Sequence, residues 1–334
     1  MIGVAVVGVG SMGKNHARVY RELDDVQLLA IVDENPQVAA AMGRLYQVPA
    51  YLDYKEMLEC EHPEAVSVTV PTQKHYPVTQ YLLEAGCHVL VEKPIATTLE
   101  EARSMVETAD RLKRVLMVGH IERYNPAVIA LKRRIEEGAL GRLFQIYARR
   151  LGPYPNRIED VGCVMDLAPH DLDIMRYLTG SEVMRVYAET KSESGRNHEE
   201  LFTGILRFAD GTVGLLEINW LTPTKIRELY VTGERGMFRV NYLTQDLIFY
   251  ENAEVNGDNW PAISLFRGVS EGSMTKFALS KKEPLRSELE AFISRVRGDN
   301  LLYANGCDAM MALSLSKLLI ESARTNQVKE VQPL

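Results

Sequence analysis

Ile2-Gly3-Val4-Ala5-Val6-Val7-Gly8-Val9-Gly10-Ser11-Met12-Gly13 opens the chain and decides its fold class. Ile2 to Val7 is an apolar run closed by glycine and reads as a short, fully buried strand; Met12 to Leu23 reads as a helix. Between them glycines stand at 8, 10 and 13, each with a task. Gly8 makes the tight turn, Gly10 lets a pyrophosphate approach the backbone, and Gly13 lets helix and strand pack closely. The helix N-terminus offers N–H groups and the positive end of its dipole to phosphate. A second apolar run, Val26–Val32, ends in Asp33, twenty positions past Gly13. An acidic side chain there accepts hydrogen bonds from an adenosine ribose. The plainer alternative is a glycine-rich turn with Asp33 capping the next helix. Strand, turn, helix, strand and acid in succession favour a dinucleotide held by Gly8, Gly10, Ser11, Met12, Gly13 and Asp33.

Outward from that stretch, residues 1–119 keep alternating. Val26–Val32 leads to a helix opening at Asn35-Pro36, Ala65–Val70 to one around His75–Ala85, and His88–Val91 to one from Thr98 to Lys113; Val115–Gly119 is a last strand. Uniformly apolar strands separated by helices predict a parallel sheet covered on both faces. Ligands of such sheets sit beyond the carboxyl ends of the strands. Pro71, Thr72 and His75 leave one such end toward the cofactor, and Glu92 and Lys93 leave another.

From Phe144 the pattern changes. Strands follow one another at Phe144–Leu151, Val183–Thr190, Phe202–Phe208, Thr212–Asn219, Arg227–Thr232, Met237–Asn241 and Asp246–Tyr250. Asp210-Gly211 is a hairpin turn. Alternation in Thr203–Phe208 and Val213–Asn219 predicts an antiparallel sheet with unlike faces. Helices interrupt at Cys163–Leu178 and close the chain at Leu285–Arg297 and Cys307–Thr325. The expectation is an α/β protein: an N-terminal Rossmann domain, 1–119, plus a C-terminal α+β domain, 120–334, with an open, mostly antiparallel sheet. The final helix is a candidate to pack back on the first domain.

A chain of 334 residues favours two domains. At 46% hydrophobic and 25% charged it has the balance of an ordinary soluble protein, and a net charge of −7 argues against non-specific nucleic-acid binding. No apolar run reaches the length of a membrane span. The opening strand leaves no room for a leader segment, and four scattered cysteines without C-x-x-C fit free thiols, so a cytoplasmic protein is expected.

Several residues are candidates for chemistry. Lys93, at the end of a central parallel strand, suits proton transfer or donation to a substrate oxygen, although a solvated Lys–Glu pair fits equally well. Asp166 and His170 lie four apart on a predicted helix and share a face, as an acid/base pair requires. A metal pair or a structural pair competes with that reading, but no third His or Cys stands at ligand spacing, so no metal is expected. His120, Arg123 and Asn125 lead from the last parallel strand into the second domain, a preferred place for ligands. Arg149, Arg150 and Arg157 fall in one basic, aromatic loop and suit an anionic substrate; a solvated basic loop is the alternative.

Together these motifs resemble the Gfo/Idh/MocA oxidoreductase family over nearly the whole chain. The likeness is carried by G-x-G-x-x-G continued as Lys14-Asn15-His16-Ala17-Arg18, by Glu92-Lys93-Pro94, by Gly119-His120 and by the Asp166…His170 helix. It implies NAD(P)-linked oxidation of a sugar or polyol hydroxyl, with Lys93, Asp166 and His170 matching the family's catalytic lysine, aspartate and histidine. Within the family, Arg149 to Asp173 is most similar to UDP-N-acetylglucosamine 3-dehydrogenases and related nucleotide-sugar enzymes. Gly162-Cys163-Val164 departs from the longer glycine run common before the aspartate.

The expected reaction is oxidation at C3 of a UDP-N-acetylhexosamine, with a free sugar or inositol dehydrogenase and a non-catalytic NAD-binding sensor as alternatives. Asp33 and Glu34, without a neighbouring arginine, favour NAD over NADP. Whether Lys93 or His170 is the base stays open. An open sheet face favours a homodimer or homotetramer.

Overall fold

The computed structural model describes residues 1–155, 161–193, 198–253, 271–299 and 303–333. They form two compact units: Met1–Tyr124 with Glu283–Ser314, and Asn125–Lys282 with Leu315–Pro333. The boundary expected after residue 119 thus falls after Tyr124, and a late segment of chain belongs to the first unit.

The first unit holds a six-stranded parallel sheet in the order β3-β2-β1-β4-β5-β6. Its strands are β1 (Ile2–Val7), β2 (Val26–Val32), β3 (Ala50–Tyr51), β4 (Ala65–Val68), β5 (His88–Val91) and β6 (Leu116–Val118). Helices α1 (Gly13–Glu22), α2 (Pro36–Tyr46), α3 (Tyr54–Glu61), α4 (His75–Glu84) and α5 (Leu99–Leu112) connect them. Local chemistry sets the helix ends. Asn35 accepts from the Gln37 and Val38 N–H groups with Pro36 at the first turn, and Thr98 forms a capping box with Glu101. Strand β3 and helix α3 escape the sequence pattern: β3 has two residues, and α3 buries only Met57.

Helix α8 (Pro284–Val296) explains the discontinuous unit. Its Leu285, Leu289, Phe292 and Ile293 recur at helical spacing and join Ala17, Val19, Tyr20 and Leu23 in one core. Burying four such side chains contributes about 2 kcal/mol each. Arg286 reaches Glu22 at 3.2 Å, but exposed pairs of this kind add little.

The second unit is built on a nine-stranded sheet in the order β14-β13-β12-β11-β7-β10-β9-β8-β15. The strands are β7 (Leu143–Pro153), β8 (Val183–Lys191), β9 (Leu201–Phe208), β10 (Val213–Asn219), β11 (Leu221–Gly233), β12 (Gly236–Asn241), β13 (Asp246–Asn252), β14 (Glu271–Phe277) and β15 (Lys329–Glu330). Only β7 and β10 pair in parallel. The β9–β10 hairpin turns at Asp210-Gly211, where Gly211 takes φ +91°. Helix α6 (Pro126–Glu136) packs on β12 and β13, and α7 (Cys163–Thr179) on β7, β9 and β10. Helix α9 (Gly306–Thr325) contributes its second half, from Leu315, to this unit, with Leu319 against β9 at Gly204. Among the described residues no helix is long and apolar enough to cross a membrane.

Alternation gives this sheet two unlike faces. The Cβ direction of Gly214 meets Met175 of α7, so Leu215 points to the other side. By register, Tyr187, Ile205, Leu215, Tyr147 and Tyr230 lie side by side on that side.

Candidate active site

The turn after β1 is shaped as a phosphate cradle. Gly8 has φ +87°, and a Cβ there would meet Val70 N at 2.8 Å. A Cβ on Gly13 would lie 1.8 Å from the Gly8 oxygen, whereas one on Gly10 would meet nothing within 4 Å. The three glycines therefore do what their spacing demands: turn, open approach and close packing. Helix α1 begins without a side-chain cap, and its Lys14 and Asn15 N–H groups turn to the Gly10 and Met12 carbonyls at 3.3 and 2.9 Å. Ser11 is exposed and Met12 half-buried beside the cradle. Asp33 reaches back from the end of β2, Oδ2 accepting from Val9 N–H at 2.9 Å and Oδ1 from Asn35 N–H at 3.0 Å. It ties the turn to the second strand and keeps lone pairs for a ribose. Thr69, which sequence reasoning missed, donates its hydroxyl to the Gly8 carbonyl and pins β4 to the same turn.

The cradle fits a dinucleotide: Gly10 would leave room for a pyrophosphate, and Asp33 would offer acceptors to a ribose. Beside Asp33, Glu34 Oε1 holds Lys74 Nζ at 2.6 Å, a cation forty residues away in sequence. Pro71 and Thr72 lie at the carboxyl end of β4, with Pro71 exposed and Thr72 half-buried.

Lys93 follows β5, half-buried, and the Lys93–Pro94 peptide bond is cis. Glu92 and His75, both expected at the cofactor, have intramolecular partners in the structure. Glu92 turns inward: Oε1 accepts from His16 Nε2 at 3.1 Å, and its carboxylate fills the space beside Gly119, where a Cβ would lie 2.9 Å from Oε2. Burial disfavours that charge, but His16 and Lys93 outweigh it and hold the Glu92 carboxyl below its ordinary pKa. His75 is buried, with Nδ1 2.8 Å from the Pro94 oxygen and Nε2 2.9 Å from the Val70 oxygen. Each ring nitrogen faces a main-chain carbonyl oxygen, and a neutral ring, with one N–H, donates to one of the two, which braces His75 between these segments. Its burial depresses its pKa more than the carbonyls raise it.

Helix α7 carries Asp166 and His170 on one face, both half-buried. The helix begins at Cys163, and Glu199 closes its N-terminus: Val164 N–H donates to Glu199 Oε1 at 3.2 Å. A Cβ on Gly162 would lie 2.0 Å from that carboxylate, so Glu199 stands where the shortened glycine run leaves room. Burial beside Glu199 raises the Cys163 thiol pKa and keeps it protonated.

The substrate expectations fare differently. His120 is buried at the end of β6. Arg123 pairs with Asp308 at 3.0 Å, already on the first turn of α9. Asn125 caps α6 by accepting from Ala127 N–H and donates to the Tyr242 carbonyl at 3.0 Å, so its amide serves structure at both ends. Arg149 and Arg150 are not in a loop but in β7, where consecutive side chains point to opposite faces. Arg149 lies on the face away from α7 and bonds Glu217 at 3.0 Å. Arg150 is buried on the α7 face in a two-pronged pair with Asp171, at 2.7 and 3.0 Å. Arg157 lies outside the described residues.

Comparison with known proteins adds what geometry does not. Residues 2–120 match a family model described as "Oxidoreductase family, NAD-binding Rossmann fold", and residues 128–239 match "GFO/IDH/MocA C-terminal domain". UDP-N-acetylglucosamine 3-dehydrogenase of Acidithiobacillus ferrooxidans is 28% identical over 90% of this chain and 90% of its own. D-glucoside 3-dehydrogenase of Escherichia coli K12 is 27% identical over 96% and 95%. The solved structure of the Acidithiobacillus ferrooxidans enzyme superposes with a TM-score of 0.84 at 26% identity, covering 97% of this chain and 98% of that one.

Proposed function

This chain belongs to the Gfo/Idh/MocA family of NAD-dependent oxidoreductases that act on sugar and inositol hydroxyls, and from that membership we propose that it oxidises C3 of a UDP-N-acetylhexosamine to the 3-keto sugar. The observation that carries the reading is the likeness to UDP-N-acetylglucosamine 3-dehydrogenase, in sequence and in fold, over nearly the full length of both chains.

Gly8, Gly10, Ser11, Met12, Gly13 and Asp33 hold NAD, which supplies the hydride acceptor. His170 and Lys93 serve the reacting hydroxyl. An imidazole takes the proton of the hydroxyl, and a lysine side chain donates to the oxygen as its charge develops. Asp166, one helical turn from His170, orients the ring and stabilises its charged form.

The open sheet face, with Tyr147, Tyr230, Ile205 and Leu215 in a row, supports self-association into a dimer or tetramer. All four cysteines are free thiols, which suits a cytoplasmic protein.

A free sugar or inositol is the second reading. What supports it is that Arg149 and Arg150 already pair with Glu217 and Asp171. The deciding test follows NADH absorbance with UDP-N-acetylglucosamine, N-acetylglucosamine, glucose and myo-inositol, with a trap for the keto product. Turnover of the UDP-sugar alone supports the first reading. Turnover of inositol or a free sugar, with none of the UDP-sugar, replaces it with the second. In the same assay, Lys93→Met loses turnover while NAD binding stays; undiminished turnover removes Lys93 from the mechanism.

A further inference from the structure

Glu92, Lys93 and Pro94 leave β5 in succession, and a buried histidine holds the residue on each side of Lys93. His16, 0% exposed, bonds the Glu92 side chain, and His75, 1% exposed, bonds the Pro94 carbonyl. We propose that His16 and His75 form a two-sided clamp on this segment and act as positioning residues for Lys93. The inference rests on the reading above for the role of Lys93, and on the geometry for the clamp itself.

The proton directions on the His16 side are set by its partners. An ionised carboxylate only accepts, so His16 Nε2 carries the hydrogen toward Glu92. In the neutral ring Nδ1 accepts from the Ser67 hydroxyl at 3.2 Å, and Ser67 Oγ accepts from the Tyr20 hydroxyl at 2.8 Å. Tyr20 is wholly buried, and burial raises its pKa further above neutrality, which keeps it a donor. Every member of the series Tyr20, Ser67, His16, Glu92 thus has a donor matched to an acceptor. A polar series in an apolar interior is costly unless complete and rigid when complete. It ends on the residue next to Lys93, and the Lys93 N–H itself lies 3.3 Å from Glu92 Oε2.

On the other side, the His75 ring lies between the Pro94 oxygen, 2.8 Å from Nδ1, and the Val70 oxygen, 2.9 Å from Nε2; the Nδ1–H tautomer donates to Pro94 and holds the segment following β5. The two histidines come from helices on opposite faces of the sheet. Helix α1 links β1 to β2 in one direction along the strand order and α4 links β4 to β5 in the other. Right-handed crossovers then put the helices on opposite sides. A segment held from both faces cannot shift without breaking a buried bond. That matters for a donor that must meet an oxygen at hydrogen-bond distance, where an ångström of drift costs about a hundredfold in rate.

The test is hydrogen exchange, read by mass spectrometry, in the peptide spanning residues 88–97 of the full-length protein, alongside kcat, KM and the Kd for NAD. The variants are His75→Leu, the double variant His16→Leu/Glu92→Gln (so that no buried carboxylate loses its partner) and the conservative His16→Gln. Both leucine variants should speed exchange in that peptide about tenfold, leave β1 unchanged, and lower kcat at least about tenfold with the NAD Kd within about twofold. His16→Gln, which restores a donor to Glu92, should stay near wild type. If a leucine variant does not fold, Glu92→Gln alone carries the same expectation for exchange and kcat. Wild-type exchange at 88–97 in the folded variants overturns the clamp, as does exchange that rises equally throughout the unit. A wild type inert on every sugar, with the local exchange result intact, removes the catalytic reading and upholds the clamp.

Discussion

Arg150 and Asp171 face each other through two hydrogen bonds, Nε to Oδ2 at 2.7 Å and Nη2 to Oδ1 at 3.0 Å, with 5% and 1% of their side chains exposed. The pair fastens β7 to α7 one residue from His170. Removing one partner strands a buried charge, so Asp171→Asn should cost about 3 kcal/mol in urea unfolding. Arg150→Met with Asp171→Leu should recover most of that loss, because two apolar groups need no counter-charge. A double variant as unstable as the single one would show that the site requires charge.

Glu34 holds the Lys74 ammonium beside Asp33. A 2′-phosphate would have to compete with Glu34 for that cation and would meet two carboxylates. Glu34→Gln releases Lys74 and removes one negative charge. The Kd for NADP should then fall about fivefold while that for NAD stays level, as titration calorimetry at low salt would show. Equal changes for both cofactors would place the pair outside the ribose site.

His75 gives folding stability a pH dependence of definite sign. Burial lowers its folded pKa below the ordinary 6.5, and His88 shifts the same way. The unfolded chain therefore binds the proton more readily. The contribution is fully present above 6.5 and is lost as pH falls through the lowered folded values. Denaturation series from about pH 8 to about pH 5 should show stability falling with acid, by up to about 1.4 kcal/mol per pH unit for each such proton. His75→Gln should flatten the slope by one proton at most; an unchanged slope would assign it elsewhere.

Most of the fold was legible because its signals are local. Five apolar runs, the glycine turn and the caps at Asn35 and Thr98 each act within a few residues, and the structure places helices and strands there within a residue or two. Helix α6 carries at Asn125-Pro126 the same opening as α2 at Asn35-Pro36, yet Asn125 reads as a ligand when its neighbours look like a domain junction. The site was legible only in part, because a side chain's commitment depends on what the fold brings opposite it. Arg149 and Arg150 look alike in sequence, but the two-residue period of β7 sends one to Glu217 and the other to Asp171. His16 had a usable signal: it shares the buried face of α1 with Gly13, Ala17 and Tyr20, where a histidine needs a polar partner. That the partner is Glu92 required the strand order.

The row Tyr187, Ile205, Leu215, Tyr147 and Tyr230 gives the last prediction. Tyr147 and Tyr230 stack at 6.0 Å between ring centres, and Ile205 is 47% exposed. Below this row, Arg149 bridges Glu217 and Glu228, and Arg239 also bonds Glu228, so the charges beside the apolar strip are internally matched. A second copy meeting this face would bury apolar surface without stranding a charge, which favours association. Ile205→Arg places a cation in the middle of the strip without touching the core side of β9, where Gly204, Leu206 and Phe208 pack. The variant should fold with an unfolding midpoint near wild type but sediment as a smaller species. Its dimer Kd should rise at least about a hundredfold, since a desolvated, unpaired charge costs about 3 kcal/mol or more. Ile205→Val at the same position should leave assembly intact. An Ile205→Arg protein that sediments as wild type would place the subunit interface on another surface.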